Sequence, residues 1–438
     1  MDFLTAQLFA YKIEENGAVI LRCFSRDSHI RIPGRIAGAP VVGLAPYAFS
    51  AHMDENVLYD ALREGKAWVA EPDTGATIQN NTYTSAGQEL SRLPAACAEK
   101  SVHGVQDTSH PSEACSGKTV SEERDMSHMP AVYAEKASAA CPAMCGEALE
   151  EIILPLSLHY VGRYCFYNCS NLRRLEFSGS LTDWGSGCFT GCHQVKELCV
   201  CADPDGETGL KQVLDELPES LKVEFCVPLR EQARADSMAM DCEKPVNDST
   251  VSTGKCESPA ETELASEDEA EVERRICARL VFPEFYEEGV ENTPARILET
   301  HVHGTGIRYR NCFPKNRLDF SQYDAVFPYA RAQENEELLL ALVLGRLRWP
   351  YRLKAEAQNA YEEYVRENLL MFGKYFLDEK DPEGLRWFLE RFAGTQETCL
   401  RELSEYANRK GDTGAVSILM DFGNSHRTAA LRRRRLEL

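Results

Sequence analysis

The feature that most constrains this chain is an internal repeat. Residues 158–177 read LHYVGRYCFYNCSNLRRLEF and residues 181–200 read LTDWGSGCFTGCHQVKELCV. Set one above the other, Leu158 falls on Leu181, Gly162 on Gly185, Cys165 on Cys188, Phe166 on Phe189, Cys169 on Cys192 and Leu175 on Leu198, always at an offset of 23 residues. Leu172 over Val195 and Phe177 over Val200 keep apolar character at the same offset. One unit this short cannot bury its own apolar side chains, so neighbouring units must stack as coils around a shared core. A third, degenerate copy lies upstream, where Leu44–Phe49 (LAPYAF) aligns with Val161–Phe166 (VGRYCF) without a gap. The residues between these copies then form an insertion between two coils of one solenoid.

A 23-residue period falls in the ~20–29 range of leucine-rich repeats, whose coils each add a short strand to a concave sheet. Leu149-Glu-Glu-Ile-Ile-Leu-Pro155, Ser157-Leu158, Val161-Gly162, Cys165-Phe166 and Asn168-Cys169 carry the resemblance further. They resemble the BspA-type leucine-rich repeat of bacteria, which reads L-x-x-I-x-[IL]-P, then V-x-x-I-G-x-x-A-F-x-[NG]-C. The second coil keeps Gly185, Phe189 and Gly191-Cys192, but lacks the proline and places Trp184 at the Val position. The resemblance implies a solenoid used for binding, and many relatives are displayed on cell surfaces. Residues 279–425 resemble a domain that accompanies such repeats in Firmicutes proteins.

The rest of the chain divides by composition. In residues 1–53, Asn16-Gly17 between two β-prone runs predicts a hairpin, and the first degenerate coil follows. Residues 54–146 lose apolar periodicity and read as a structureless insertion. Residues 147–230 hold the repeat coils. Residues 231–275 are an acidic spacer, with seven carboxylates within 261–273. Residues 276–426 read as mixed and then helical, and 427–438 as a frayed basic tail containing Arg432–Arg435. Stripes at Leu338, Leu339, Leu342 and Leu347, and at Tyr361, Tyr364, Val365, Leu369 and Phe372, predict helices. Shorter helices are expected near 382–392, 396–409 and 413–422, with Gly394 and Gly411 as stops and Thr395 and Asp412 as caps. In the last hairpin Leu400, Leu403 and Ala407 should face Val416, Leu419 and Met420. The fold class is α+β and multidomain: a short β-rich leucine-rich-repeat solenoid, then an α-helical domain with ankyrin-like or bundle-like hairpins.

Function is read from the coils. Residues flanking each strand's central apolar position point to the concave face. These are Glu151 and Ile153, Arg174 and Glu176, and Glu197 and Cys199. The first five are the expected partner-binding residues. A net charge of −21 repels nucleic acid and anionic membranes. Seventeen cysteines, an odd number, and an N-terminus without a basic leader point to reduced thiols in the cytoplasm. Cys165, Cys169, Cys188 and Cys192 sit at small apolar positions and are read as core. His301, His303 and Cys312 could supply three zinc ligands. No phosphate loop or nucleophile elbow occurs. The reading is a non-enzymatic protein-interaction scaffold or adaptor without cofactor or metal. A metal-dependent enzyme within 279–378 and a surface-associated adhesin remain as alternatives.

Overall fold

A computed structural model describes residues 7–70, 142–228, 274–292, 297–394 and 396–436. The Asn16-Gly17 signal forms the expected hairpin, in which β1 (Leu8–Glu14) pairs antiparallel with β2 (Gly17–Phe24). Then β3 (His29–Arg31), β4 (Arg35–Ile36) and β5 (Ala39–Leu44) make the first coil. The next elements, α1 (Glu55–Arg63) and β6 (Trp68–Ala70), lie inside the segment expected to lack structure from residue 54. Asp54 caps α1 by accepting the Asn56 N–H at 3.0 Å. Leu58 and Leu62 pack with Ala10, Phe24 and Ala67, while β6 pairs with β1. With only these two helix residues buried, α1 leaves little periodic signal in the sequence. Residues 71–141 of the insertion fall outside the described residues, whereas its last residues, expected to lack structure, pack on β2: Met144 is buried and its N–H donates to the Cys23 carbonyl at 2.8 Å.

The coils resume with β7 (Glu151–Ile153), β8 (Tyr160–Val161), β9 (Arg174–Ser178), β10 (Asp183–Trp184), β11 (Glu197–Cys201), α2 (Leu210–Glu216) and β12 (Leu221–Pro228). Strands β3, β7, β9, β11 and β12 form a parallel ladder, with His29 opposite Glu151. The chain therefore leaves the solenoid after one coil and re-enters on the adjacent rung. On the other side, β5, β8 and β10 run parallel, and Leu44 faces Val161 as the ungapped match requires.

Stacking explains the repeated residues. Phe49, Phe166 and Phe189 stack with centroids 5.5 and 5.6 Å apart. The Cys169 thiol donates to the Phe49 carbonyl at 3.2 Å, and Cys192 donates to Phe166 at 3.0 Å. These cysteines are core groups, and burial pushes the Cys192 thiol up to about 12. A Cβ on Gly185 would lie 2.2 Å from the Arg163 amide, so the coils can approach only at a glycine. The residue before each second cysteine, Asn168 or Gly191, has φ of 58° or 84°. This left-handed turn favours Asn and Gly and accounts for the Asn-Cys and Gly-Cys pairs.

The ladder of turn amides ends on a carboxylate. Tyr47 and Phe49 N–H donate to Arg163 and Cys165 carbonyls, and Tyr164 and Phe166 N–H donate to Ser186 and Cys188. The corresponding amides of the next coil, Gly187 and Phe189, meet α2 in place of a further turn. They donate to Glu216 Oε1 and Oε2 at 3.0 and 3.1 Å. Glu216 thus substitutes for two carbonyls that another coil would supply.

The C-terminal region begins as part of the same sheet. β13 (Arg274–Phe282) pairs antiparallel with β12, burying Ala278, Leu280 and Phe282. The boundary expected at residue 276 therefore cuts through a strand that closes the solenoid. Acidic composition upstream drew that boundary, whereas the pairing is a long-range property. A hairpin of β14 (Tyr286–Asn292) and β15 (Ile297–His303) precedes α3 (Gly306–Arg310), α4 (Phe320–Ala325), α5 (Phe327–Gln333) and α6 (Glu336–Arg348). The Tyr323 hydroxyl covers the open edge of β13, accepting the Val281 N–H at 2.9 Å and donating to the Val281 carbonyl at 2.7 Å. Arg310 is fully buried and donates to the carbonyls of Leu214, Leu217, Glu219 and Pro283 at 2.5–2.9 Å. It joins the last solenoid helix to the helical domain, and one apolar core runs through both.

Helix α6 is buried on nearly every side from Leu339 to Leu347, beyond the expected stripe. The second stripe spans two helices, α7 (Ala355–Glu367) and α8 (Leu369–Asp378), which meet at Asn368 with φ of −123°. Then come α9 (Pro382–Phe388), α10 (Glu397–Lys410) and α11 (Thr413–Leu436). Gly411 ends α10 at φ 72°, and Asp412 accepts the Ala415 N–H at 2.9 Å. The expected Thr395 cap falls outside the described residues. Leu403, Ala407 and Leu419 are buried in the final hairpin, but Met420 is 59% exposed, one position out of phase with the buried face. The backbone of α11 continues through Arg432–Arg435, so the tail expected to fray is helical as far as Leu436.

Candidate binding face

Parallel pairing without register shift places equivalent residues of successive coils side by side, ~4.8 Å apart. The sequence alternates Glu151-Ile152-Ile153, Arg174-Leu175-Glu176 and Glu197-Leu198-Cys199. Ile152, Leu175 and Leu198 turn inward and are buried. Their neighbours form outward rows. The first row is His29, Glu151, Arg174, Glu197 and Lys222. The second is Arg31, Ile153, Glu176, Cys199, Glu224 and Arg279.

The first row alternates in charge along its length. Arg174 Nε lies 3.3 Å from Glu151 Oε1, and Arg174 Nη1 lies 3.4 Å from Glu197 Oε2. His29 Nε2 lies 3.9 Å from Glu151 Oε2. The pairs lie at the sheet surface, with Glu151 and Arg174 half-buried, and a surface pair adds about 1 kcal/mol, so the row is held by the strands rather than by its charges. Lys222 extends it at one end and His29 at the other, both exposed.

The second row is more enclosed. Ile153 is half-buried and Glu176 is only 6% exposed, so its carboxylate offers little to a partner. Arg279 pairs with Glu224, and its guanidinium lies 4.0 Å from the Trp349 ring centroid. Thus the structure brings Glu151, Arg174 and Glu197 together in one row, with Glu197 exposed and Glu151 and Arg174 half-buried, and withdraws Glu176. His29 and Lys222 were missed. Their signals are the short alternations His29-Ile30-Arg31 and Lys222-Val223-Glu224, which lie outside the clear 23-residue match.

The residues weighed for zinc do not converge. His303 Nε2 lies 3.1 Å from Glu288 Oε2, and its ring stacks on Tyr286 at 4.6 Å. Cys312 is buried in the turn after α3 and donates to the Arg308 carbonyl at 3.3 Å; burial pushes its thiol up to about 12. Among the described residues, no group of three His, Cys, Asp or Glu is placed to hold a metal ion. Among the same residues, no helix is long and apolar enough to cross a membrane.

No curated protein and no solved structure matches this chain. The family model described as BspA type Leucine rich repeat region (6 copies) matches residues 141–203. With stacked Phe rings, turn residues Asn168 and Gly191, and one parallel strand per coil, this segment belongs to the BspA-type leucine-rich repeat family.

Proposed function

We propose that this chain is a non-enzymatic scaffold or adaptor that binds another protein through the outward rows of its repeat sheet. Glu151, Arg174 and Glu197 are the central contacts, His29 and Lys222 flank them, and Ile153 supplies an apolar margin. The supporting observation is the charge alternation of the first row. In a chain of net charge −21, most surfaces repel an ordinary acidic protein. This row interleaves both signs, so a partner with the opposite alternation finds complementarity without long-range repulsion. A stable interface covers ~800 Å² per partner, so the rows act together with adjoining loops. Thiols packed as small apolar groups, such as Cys165 and Cys188, support a reducing, cytoplasmic setting.

The test is the triple swap Glu151→Arg, Arg174→Glu and Glu197→Arg. It keeps the two pairs made at position 174 but inverts the pattern a partner meets. Thermal unfolding should stay within a few degrees of wild type, while specific capture from native lysate falls at least tenfold. Capture at the wild-type level by the folded swap overturns the reading.

A further inference from the structure

Three cysteines meet on the outward side of β11 and β12. Cys201 stands directly opposite Cys226 in the parallel register. Cys199 Sγ lies 3.1 Å from Cys226 Sγ, and all three thiols are free. Cys199 and Cys226 are each 5% exposed, whereas Cys201 is half-buried and reachable from solvent. Cys201 Sγ also lies 3.8 Å from Glu176 Oε1, which can accept its proton.

This group differs from the core cysteines, whose thiols donate to backbone carbonyls of the neighbouring coil. Here the thiols bond to one another. Hydrogen bonding with Cys199, chiefly, pushes the Cys226 thiol up. Hydrogen bonding with Cys201 pushes Cys199 up to about 12. At the end of this relay Cys201 accepts from Cys199, which pulls its thiol down despite partial burial. The thiolate is the reactive form of cysteine, and exposure sets which thiolate reacts first. Neighbouring strands lie ~4.8 Å apart, within the ~4.4–6.8 Å Cα separation that a disulfide spans.

We propose that Cys199, Cys201 and Cys226 form an oxidation site at which a hydroperoxide attacks Cys201 and Cys226 closes a disulfide with it. The Cys201 thiolate displaces hydroxide from the peroxide, forming a sulfenic acid, and the proton it gave up joins the hydroxide as water. The Cys226 sulfur then displaces the second hydroxyl, which leaves as water with the Cys226 proton. One peroxide is reduced, two thiols are oxidised, and the new bond links two adjacent coils. Cys199 acts as the positioning residue, its thiol lying between Cys201 on its own strand and Cys226 on the next.

Full-length protein is treated with hydrogen peroxide, alkylated with iodoacetamide and digested with trypsin. Cleavage after Lys196, Lys211, Lys222 and Arg230 places Cys199 and Cys201 in one peptide and Cys226 in another. The expected product is that peptide pair, joined between Cys201 and Cys226, lost on reduction, and formed at doses that leave Cys165 and Cys188 unmodified. Cys201→Ser should abolish the link, and Cys199→Ser should slow it at least threefold. Three alkylated thiols in the peroxide-treated wild type, a link mapped to Cys199, or an undiminished link in Cys201→Ser each overturn the proposal.

Discussion

Removing the Glu216 carboxylate should loosen the end of the coil stack, because two amides lose their only replacement for a next turn. Gly187 and Phe189 N–H donate to its two oxygens at 3.0 and 3.1 Å. A hydrogen bond to a charged acceptor contributes ~1.5–3 kcal/mol. Glu216 is half-buried, so water replaces part of the lost bonding and the low end applies. Glu216→Ala should therefore cost about 2–4 kcal/mol, and Glu216→Gln, which keeps one acceptor, about half of that. Urea unfolding measures the loss, with the slope unchanged if only the folded state is affected. Hydrogen exchange locates it: protection should fall at Gly187 and Phe189 and persist at Tyr164 and Phe166, whose partners are backbone carbonyls. Neighbouring Asp215 makes an exposed pair with Lys211, so Asp215→Ala should change stability by less than ~0.5 kcal/mol. If Glu216→Ala also stays within ~0.5 kcal/mol of wild type, the idea that this carboxylate closes the ladder is wrong.

Further outcomes follow from the buried charges. Arg346 Nε and Nη2 hold Asp324 at 2.8 and 2.9 Å, and the Tyr361 hydroxyl donates to Asp324 at 2.9 Å. Asp324→Ala strands a fully buried guanidinium and should cost about 3–5 kcal/mol in chemical denaturation, much of it recovered by pairing it with Arg346→Met. Arg310→Met leaves four carbonyls without their donor and should destabilise by about 3 kcal/mol or more; unfolding within ~0.5 kcal/mol of wild type argues against Arg310 as the join between solenoid and helices. For Glu362, burial alone would raise the carboxyl, but hydrogen bonds from Arg391, Gln358 and Arg366 outweigh it and hold it at about 2. A depressed folded value gives stability that is present above the ordinary 4.5 and lost as pH falls through about 2. Glu362→Gln should flatten the melting temperature over that acidic window and leave the slope above pH 6 unchanged.

The repeat was readable because stacking imposes its own arithmetic: Phe166 must lie over Phe189, and a glycine must sit where Gly185 meets Arg163. The same logic recovered the first coil across a long insertion, since Leu44–Phe49 kept its spacing. The groups that fasten the fold were not readable. Glu216, Arg310 and Arg346 have partners far away in sequence, and a lone charged residue in an apolar segment carries no periodic signal. The boundary expected at residue 276 cuts strand β13 because composition changes at the acidic spacer while pairing crosses it. Helix α1 escaped because it buries only Leu58 and Leu62. On the outward sheet face, alternation alone sets Glu151, Arg174 and Glu197 in one row. Local alternation also nominated Glu176, but exposure depends on how the whole sheet is enclosed, and there it is buried.

Photo-crosslinking within cells tests the binding face most directly. A benzophenone side chain placed at Glu197, exposed in the first row, should yield a discrete adduct with a partner protein. The same probe at Glu405, on the helical domain, should not give that adduct. An adduct common to both positions, or one formed only from Glu405, would contradict binding through the repeat sheet.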